Sequence, residues 1–420
     1  MKKTFCFVGT LWLCLALVFS VESAQAQIWK KIKNEVKSRA ENKIVNKAGN
    51  ATDRAIDNTA DVIKGNQPGN GSVTDNDKSS NTANANVTPE AKAPSFSSYK
   101  SYDFVPGDKI IFEPDLSGEA DAELPARFTV NVGNVEIQSY EGEKILHLNP
   151  DCHATVSPLM NSDHYLPEQY TLEFDMMYEN PDAKNGDNYF AYVSDFNVQF
   201  RKRDDNNYGG TPFYRFTIDG VSKIRFGNNN AGYIALPQEV TGNAWHHIAI
   251  YIRKNIGKVY IDQYRVAAAN NLPVGADKVD IKADRYGIKI KNFRLAAGGD
   301  DKYNKIVTDG KFITHGILFD VNKSTIKPES MGALNEIVKL MKEHNDLKFE
   351  IDGHTDSDGK ADANLKLSQE RADAVKAKLT EMGIDDARLT TKGFGATKPI
   401  DKNDSAEGKA NNRRVEFVKI

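Results

Sequence analysis

The spacing of apolar side chains changes along the chain and divides it into stretches of different character. Ile28, Ile32, Val36, Ala40, Ile44 and Ala48, then Ala55, Ile56 and Ile63, recur at helical spacing among Lys, Arg, Asn and Asp. Spacing of that kind places them on one face, so residues 27–64 are predicted to form an amphipathic helical segment. Residues 65–98 carry Gly, Asn, Ser, Asp, Thr and Pro with almost no large apolar side chain. They cannot bury enough surface to offset the entropy of ordering, and a disordered linker is predicted there. Residues 99–300 show β-branched and aromatic runs at 170–178, 190–200, 213–218, 247–252, 258–261 and 286–295, separated by Asn, Gly and Asp clusters. Their number and spacing predict an all-β, two-sheet sandwich. Ile248-Ala249-Ile250-Tyr251-Ile252 is apolar on both faces, which suits a strand within a soluble sandwich better than a transmembrane barrel strand, whose faces alternate between lipid and lumen.

Over residues 311–420 strands alternate with helices. A strand is predicted at 313–319, and Pro328 stands at a helix start whose apolar face is Leu334, Ile337, Val338 and Met341. A second strand follows at 347–351. Ser368 is read as the N-cap of a helix with the face Ala372, Val375, Leu379 and Met382, ended near Gly383. Strands at 388–393 and 414–420 complete an α+β domain of order β-α-β-α-β-β, so the whole chain is predicted to be multidomain.

The first residues change the picture of where this protein works. Lys2 and Lys3 precede an apolar run from Phe5 to Phe19, and Ala24-Gln25-Ala26 offers small residues for a peptidase, so residues 1–26 are expected to be a signal peptide. The run is shorter than the roughly 20 residues of a membrane span. Leu11-Trp12-Leu13-Cys14 faintly resembles a lipobox, but Leu13 is too large for the position before its cysteine. With Cys6 and Cys14 removed, Cys152 stands alone and no intramolecular bridge can form, so the domains must rest on apolar cores; Cys152 is expected to be a buried structural thiol. A net charge of −3 over 420 residues argues against nucleic acid as a partner.

The C-terminal motifs are Ile317-Leu318-Phe319-Asp320-Val321-Asn322-Lys323-Ser324, Ile351-Asp352-Gly353-His354-Thr355-Asp356, Asn364-Leu365-Lys366-Leu367-Ser368-Gln369-Glu370-Arg371-Ala372, Gly393-Phe394-Gly395 and Asn412-Arg413-Arg414-Val415-Glu416. In this order and spacing they closely resemble the OmpA-like family, which includes peptidoglycan-associated lipoproteins and flagellar stator anchors. The resemblance implies non-covalent binding of peptidoglycan through the diaminopimelate of its stem peptide. That group presents an ammonium and a carboxylate on one carbon; Asp356 would accept from the first and Arg371 would offer its planar fork to the second. Placed in the first turn after Ser368, Arg371 would also have the helix N-terminus beside it. Phe319, Asp320 and Asn322 match the family's pocket rim, and Thr355, Asn364 and Leu367 flank the pair. Arg414 is included in the site, although Asn412, Arg413 and Arg414 either reach the ligand or tie the last strand to its neighbours. A buried structural Asp–Arg pair is the competing reading.

Elsewhere, Trp245-His246-His247-Ile248-Ala249-Ile250-Tyr251 with Gly257-Lys258-Val259-Tyr260-Ile261-Asp262 resembles a hairpin of laminin-G and concanavalin-like jelly rolls, whose members often bind sugars or calcium. His246 and His247 are expected to be strand positions rather than ligands, His354 a strand-end histidine, and Asp204-Asp205 and Asp300-Asp301 solvated loop charges. Neither a metal, a cofactor nor a catalytic nucleophile is expected. The reading is a non-enzymatic, exported anchor of the periplasm or outer membrane that binds peptidoglycan. Its sandwich would have a glycan or protein ligand, outer-membrane association would be a further contact, and residues 28–64 would be a surface for homo-oligomers. A wall-tethered protein that binds or cleaves glycan through the sandwich is the alternative.

Overall fold

The computed structural model describes residues 95–149, 153–178, 194–203, 213–219, 223–228, 231–237, 244–284, 287–299 and 302–420. The expected signal segment, the helical segment 27–64, most of the linker, Cys152 and the pairs Asp204-Asp205 and Asp300-Asp301 lie outside the described residues.

The strands between 109 and 297 are β1 (Lys109–Phe112), β2 (Phe128–Val132), β3 (Val135–Tyr140), β4 (Glu143–Leu148), β5 (Thr155–Pro158), β6 (Gln169–Tyr178), β7 (Ser194–Arg201) and β8 (Tyr214–Asp219). They continue with β9 (Lys223–Gly227), β10 (Tyr233–Ala235), β11 (His246–Arg253), β12 (Ile256–Ile261), β13 (Tyr264–Ala269), β14 (Lys278–Ala283) and β15 (Ile288–Ala297). One sheet runs β13-β12-β11-β6-β15-β4-β3, with β1 added against β15; the other runs β10-β9-β8-β7-β14-β5-β2. Pairing is antiparallel throughout the central strands, including the expected hairpin β11–β12.

Alternation explains the layers. Tyr170, Leu172, Phe174, Met176 and Tyr178 of β6 share one core with Ile248, Ile250 and Ile252 of β11 and with Phe196, Val198 and Phe200 of β7, so the two sheets enclose a common interior. The other face of the first sheet is not left to water. Ala249 of β11 and Tyr260 of β12 belong to a second core, together with Tyr99, Tyr102 and Phe104 and the C-terminal residues Met331, Leu334, Ile337 and Phe349. Tyr102 meets Tyr260 edge to face with ring centroids 5.3 Å apart. The run 248–252 is therefore apolar on both sides because it separates two cores. The 95–98 end of the predicted linker is also placed: it forms a turn, and Phe96 packs against this second core beneath Lys378.

The C-terminal part comprises α1 (Lys302–Asp309), β16 (Lys311–Thr314), α2 (Met331–Glu343), β17 (Phe349–His354), α3 (Ala361–Glu381), β18 (Leu389–Gly395), α4 (Ala406–Asn412) and β19 (Val415–Lys419). Its sheet has the order β16-β19-β17-β18, with β17 and β18 parallel and the other pairs antiparallel. Three details differ from the sequence reading. The order from β16 on is β-α-β-α-β-α-β, since Ser405 caps α4 by accepting from the Gly408 amide. The first strand ends at Thr314, and Phe319 instead forms an isolated bridge with Ile326. Ser368 is no cap: α3 begins at Ala361, and the Ser368 hydroxyl, wholly buried, donates to the Leu365 carbonyl and accepts from the Gly395 amide. Arg371 consequently stands in the third turn of α3, out of reach of the helix N-terminus, whose field fades within one turn.

Candidate functional site

Two glycines bring the site together. A Cβ on Gly353 of β17 would lie 2.1 Å from the Ser368 carbonyl oxygen, and one on Gly393 of β18 would lie 2.5 Å from the Gln369 amide. Without side chains at these positions α3 settles directly on the parallel strand pair. Arg371, on α3, is thereby brought toward the loop that follows β17, where Asp356 sits.

That loop is held from several sides. The Thr355 amide donates to the Gly395 carbonyl at 3.0 Å, extending the β17–β18 pairing. Buried Asn364 donates to the carbonyls of Asp356 and Asp358 at 3.3 and 2.8 Å. Asp356 is 9 % exposed. One of its oxygens accepts from the Asp358 amide at 3.0 Å and the other pairs with Arg413 at 2.7 Å. Lys409 of α4 pairs with Asp358 at 2.9 Å and secures the outer edge.

Arg371 is differently placed. Its Nε donates to the Lys323 carbonyl at 3.0 Å and its guanidinium lies 4.9 Å from the centre of the Phe319 ring. Among the described residues no carboxylate forms an ion pair with it; Asp356 acts on it through its field alone, while Arg413 adds a second positive charge nearby. Burial, and then the Arg413 charge, lower the Arg371 pKa. A partly desolvated cation beside another cation gains from any anion that arrives. The corner thus sets a partly desolvated guanidinium near a carboxylate that is engaged by Arg413 and the Asp358 amide. A pocket of about 140 Å³ opens here, lined by Phe319, Gly353, His354, Arg371, Arg413 and Arg294 among others.

Phe319, Thr355, Asp356, Asn364 and Arg371 therefore converge. Asp320 and Asn322 lie on the turn whose Lys323 carbonyl takes the Arg371 bond; Asn322 is exposed with a positive φ of 56°. Leu367 is half-buried on α3. Arg414 is directed elsewhere: it is buried, bonded to Glu416 and to the Lys398 carbonyl, and its neighbour Arg413 makes the contact with Asp356. Asn412 ties the chain by accepting from the Ile400 and Asp401 amides. The sequence held no sign of Glu113, which pairs with Arg413 at 2.8 Å across 300 positions and with Arg294 at 2.6 Å across 181.

His354 is buried at the end of β17 and stacked on Phe394. Burial, and next Arg414, hold its pKa down to about 4. His246 and His247 are both engaged, bonding Asp262 and Asp175 at 2.7 Å. Among the described residues no group of His, Cys, Asp and Glu has metal-binding geometry, and no helix is long and apolar enough to cross a membrane.

Comparison with known proteins places the C-terminal residues in a class. Residues 318–413 match the OmpA family model and form an OmpA-family domain, homologous to the peptidoglycan-binding domains of OmpA, Pal and MotB proteins. Over 104 residues the chain is 41% identical to "Probable lipoprotein YiaD" of Escherichia coli (strain K12), a match covering 25% of this chain and 48% of that protein. Over 99 residues it is 44% identical to outer membrane protein A of Bordetella avium, covering 24% of this chain and 51% of the relative. The chain thus spans about half the length of these two curated relatives. Among solved structures, the peptidoglycan-associated lipoprotein from Burkholderia pseudomallei is 29% identical, with 25% of this chain and 88% of that one covered and a TM-score of 0.24.

Proposed function

We propose that this protein binds peptidoglycan non-covalently through residues 311–420 and thereby anchors its sheet-rich module in the cell envelope, with no covalent chemistry of its own. In this reading the ligand is the diaminopimelate of the stem peptide. Asp356 accepts from its ammonium and the Arg371 fork receives its carboxylate, with Phe319, Asp320, Asn322, Thr355, Asn364 and Leu367 shaping the surround. The observation that carries the reading is the Arg371 guanidinium, oriented by Phe319 and Lys323 but without an ion-pair partner among the described residues, next to a carboxylate held by the β17–α3 loop. A zwitterion matches that pair of charges, and a simple ion of either sign matches only half of it.

Export to the periplasm or outer membrane fits the predicted signal segment and the outer-membrane and lipoprotein relatives. The sheet-rich part is read as a jelly-roll-type module that carries a ligand of its own. The decisive experiment incubates the chain lacking residues 1–26 with purified cell-wall sacculi and pellets them. The protein is expected in the pellet and to be released by free diaminopimelate; protein that stays in the supernatant refutes the reading.

A further inference from the structure

The outer face of the first sheet carries charged residues where the C-terminal part covers it. Glu173 and Asp175 of β6, His247 of β11 and Arg294 of β15 line a cavity of about 640 Å³, closed on the far side by Leu318, Phe319, Val321, Lys327 and Glu329. This cavity shares Arg294, Leu318 and Phe319 with the smaller pocket at Arg371. Glu113 stands at the junction, bridging Arg294 and Arg413, and Arg413 in turn reaches Asp356.

The cavity holds polar atoms that the protein itself leaves unsatisfied. Glu173 is only 4 % exposed, yet its Oε1 has no hydrogen-bond partner among the described residues. His247 Nε2 lies 3.6 Å from the other Glu173 oxygen, beyond hydrogen-bond distance, and Glu329 Oε2 is likewise unpartnered. A buried acceptor in that condition is costly unless something supplies its donor. Most of the surrounding charge is already neutralised in place: Asp175 pairs with His247, Glu113 with Arg294 and Glu143 with Lys291. Such internal pairing leaves little net field for a free ion and leaves acceptors and donors suited to hydroxyl and amide groups. The volume lies within the range of small-molecule sites and accommodates one or two sugar rings. Burial alone would lower the His247 pKa, but its bond to Asp175 and the charges of Asp175 and Glu173 raise it to about 10, so Nε2 stays protonated and able to donate.

We propose that this cavity is a second subsite that takes an N-acetylated sugar unit of the glycan while Asp356 and Arg371 hold the peptide attached to it. The proposal rests on the peptidoglycan reading above and extends it from the peptide to the saccharide. Because the two pockets adjoin, one disaccharide-peptide spans both, and occupancy of the second becomes intramolecular once the first is filled.

The test is calorimetric titration of the chain lacking residues 1–26 with three ligands: a diaminopimelate tripeptide, the same tripeptide on its disaccharide, and the disaccharide alone. The disaccharide-peptide is expected to bind about tenfold or more tighter than the tripeptide, with the disaccharide alone weakest. Glu173→Gln, and separately Ser117→Trp at the exposed cavity lip, are expected to erase that gain and leave tripeptide affinity unchanged; Ser117→Trp decides if Glu173→Gln fails to fold. Equal affinity for tripeptide and disaccharide-peptide overturns the subsite and leaves the peptide reading standing. A gain that survives the substitutions overturns this cavity as its source, and a disaccharide that binds as tightly alone overturns the adjoining-site arrangement. Failure of all three ligands to bind refutes the peptidoglycan reading, and the subsite falls with it.

Discussion

Removing the Arg371 side chain separates a binding role from a structural one, because the contacts it makes within the protein are few. In Arg371→Ala the fold loses one hydrogen bond to the Lys323 carbonyl and the stacking on Phe319. These are worth about 0.5–1.5 and 0.5–1 kcal/mol respectively. Relief of the repulsion from Arg413 offsets part of that, so a stability loss of about 1 kcal/mol is expected. Loss of the ligand's carboxylate contact is the larger effect: truncating one partner of a desolvated charge pair costs about 2–5 kcal/mol, or about 30- to 5,000-fold in affinity. Arg371→Lys keeps the charge but not the fork and should fall between. The assay measures sacculus co-sedimentation and the urea melting curve on the same preparations. A variant that melts within about 1 kcal/mol of the parent and still pellets with parental affinity refutes the assignment of Arg371 to the ligand. A variant whose stability drops by about 3–5 kcal/mol shows instead that the arginine is structural.

Arg414→Ala is expected to behave in the opposite way, since Glu416 loses its buried partner on one oxygen and keeps only Lys311 on the other; a loss of about 2–3 kcal/mol should appear in denaturant melts, and a normal melt would contradict the division of labour between the adjacent arginines. Gly332→Ala would set a Cβ 1.7 Å from the Phe104 carbonyl oxygen. The segment 99–104 must then shift off α2 at a cost of about 1–3 kcal/mol, and calorimetry that finds no destabilisation would count against this packing. The folded chain should also weaken in mild acid. His315 and His354 are held down to about 4, chiefly by burial, so the unfolded chain binds more protons and stability falls as pH drops from about 6.5 toward 4. Asp352, pushed up to about 6 by burial and then by Glu350 and Glu416, works the other way and loses its contribution as pH rises through 6. His315→Asn should therefore flatten the loss between pH 7 and 4.5 in urea melts, by on the order of 3 kcal/mol at most; an unchanged slope would rule out His315 as a source.

Much of this protein was legible from local pattern. The two-residue period of 170–178 marks a strand, the spacing of Leu334, Ile337, Val338 and Met341 marks a helix, and the motif set around Asp356 and Arg371 identifies the family of residues 318–413. These properties reside in short stretches because backbone geometry alone sets which side chains share a face. What a face is buried against is a different matter. Tyr170 and Leu172 look into one core, but only the tertiary structure reveals that Thr171 and Glu173, on the opposite face, are covered as well. Local capping preference offered Ser368 as a helix start, whereas close packing at Gly353 and Gly393 places it inside α3. The choice between Arg413 and Arg414 was equally beyond the sequence: neighbouring residues of one type point to opposite sides, and which side meets Asp356 depends on where β19 pairs. Glu113 joins the site through contacts spanning about three hundred residues, and no local period records a contact of that length; only the packing of the whole chain creates it.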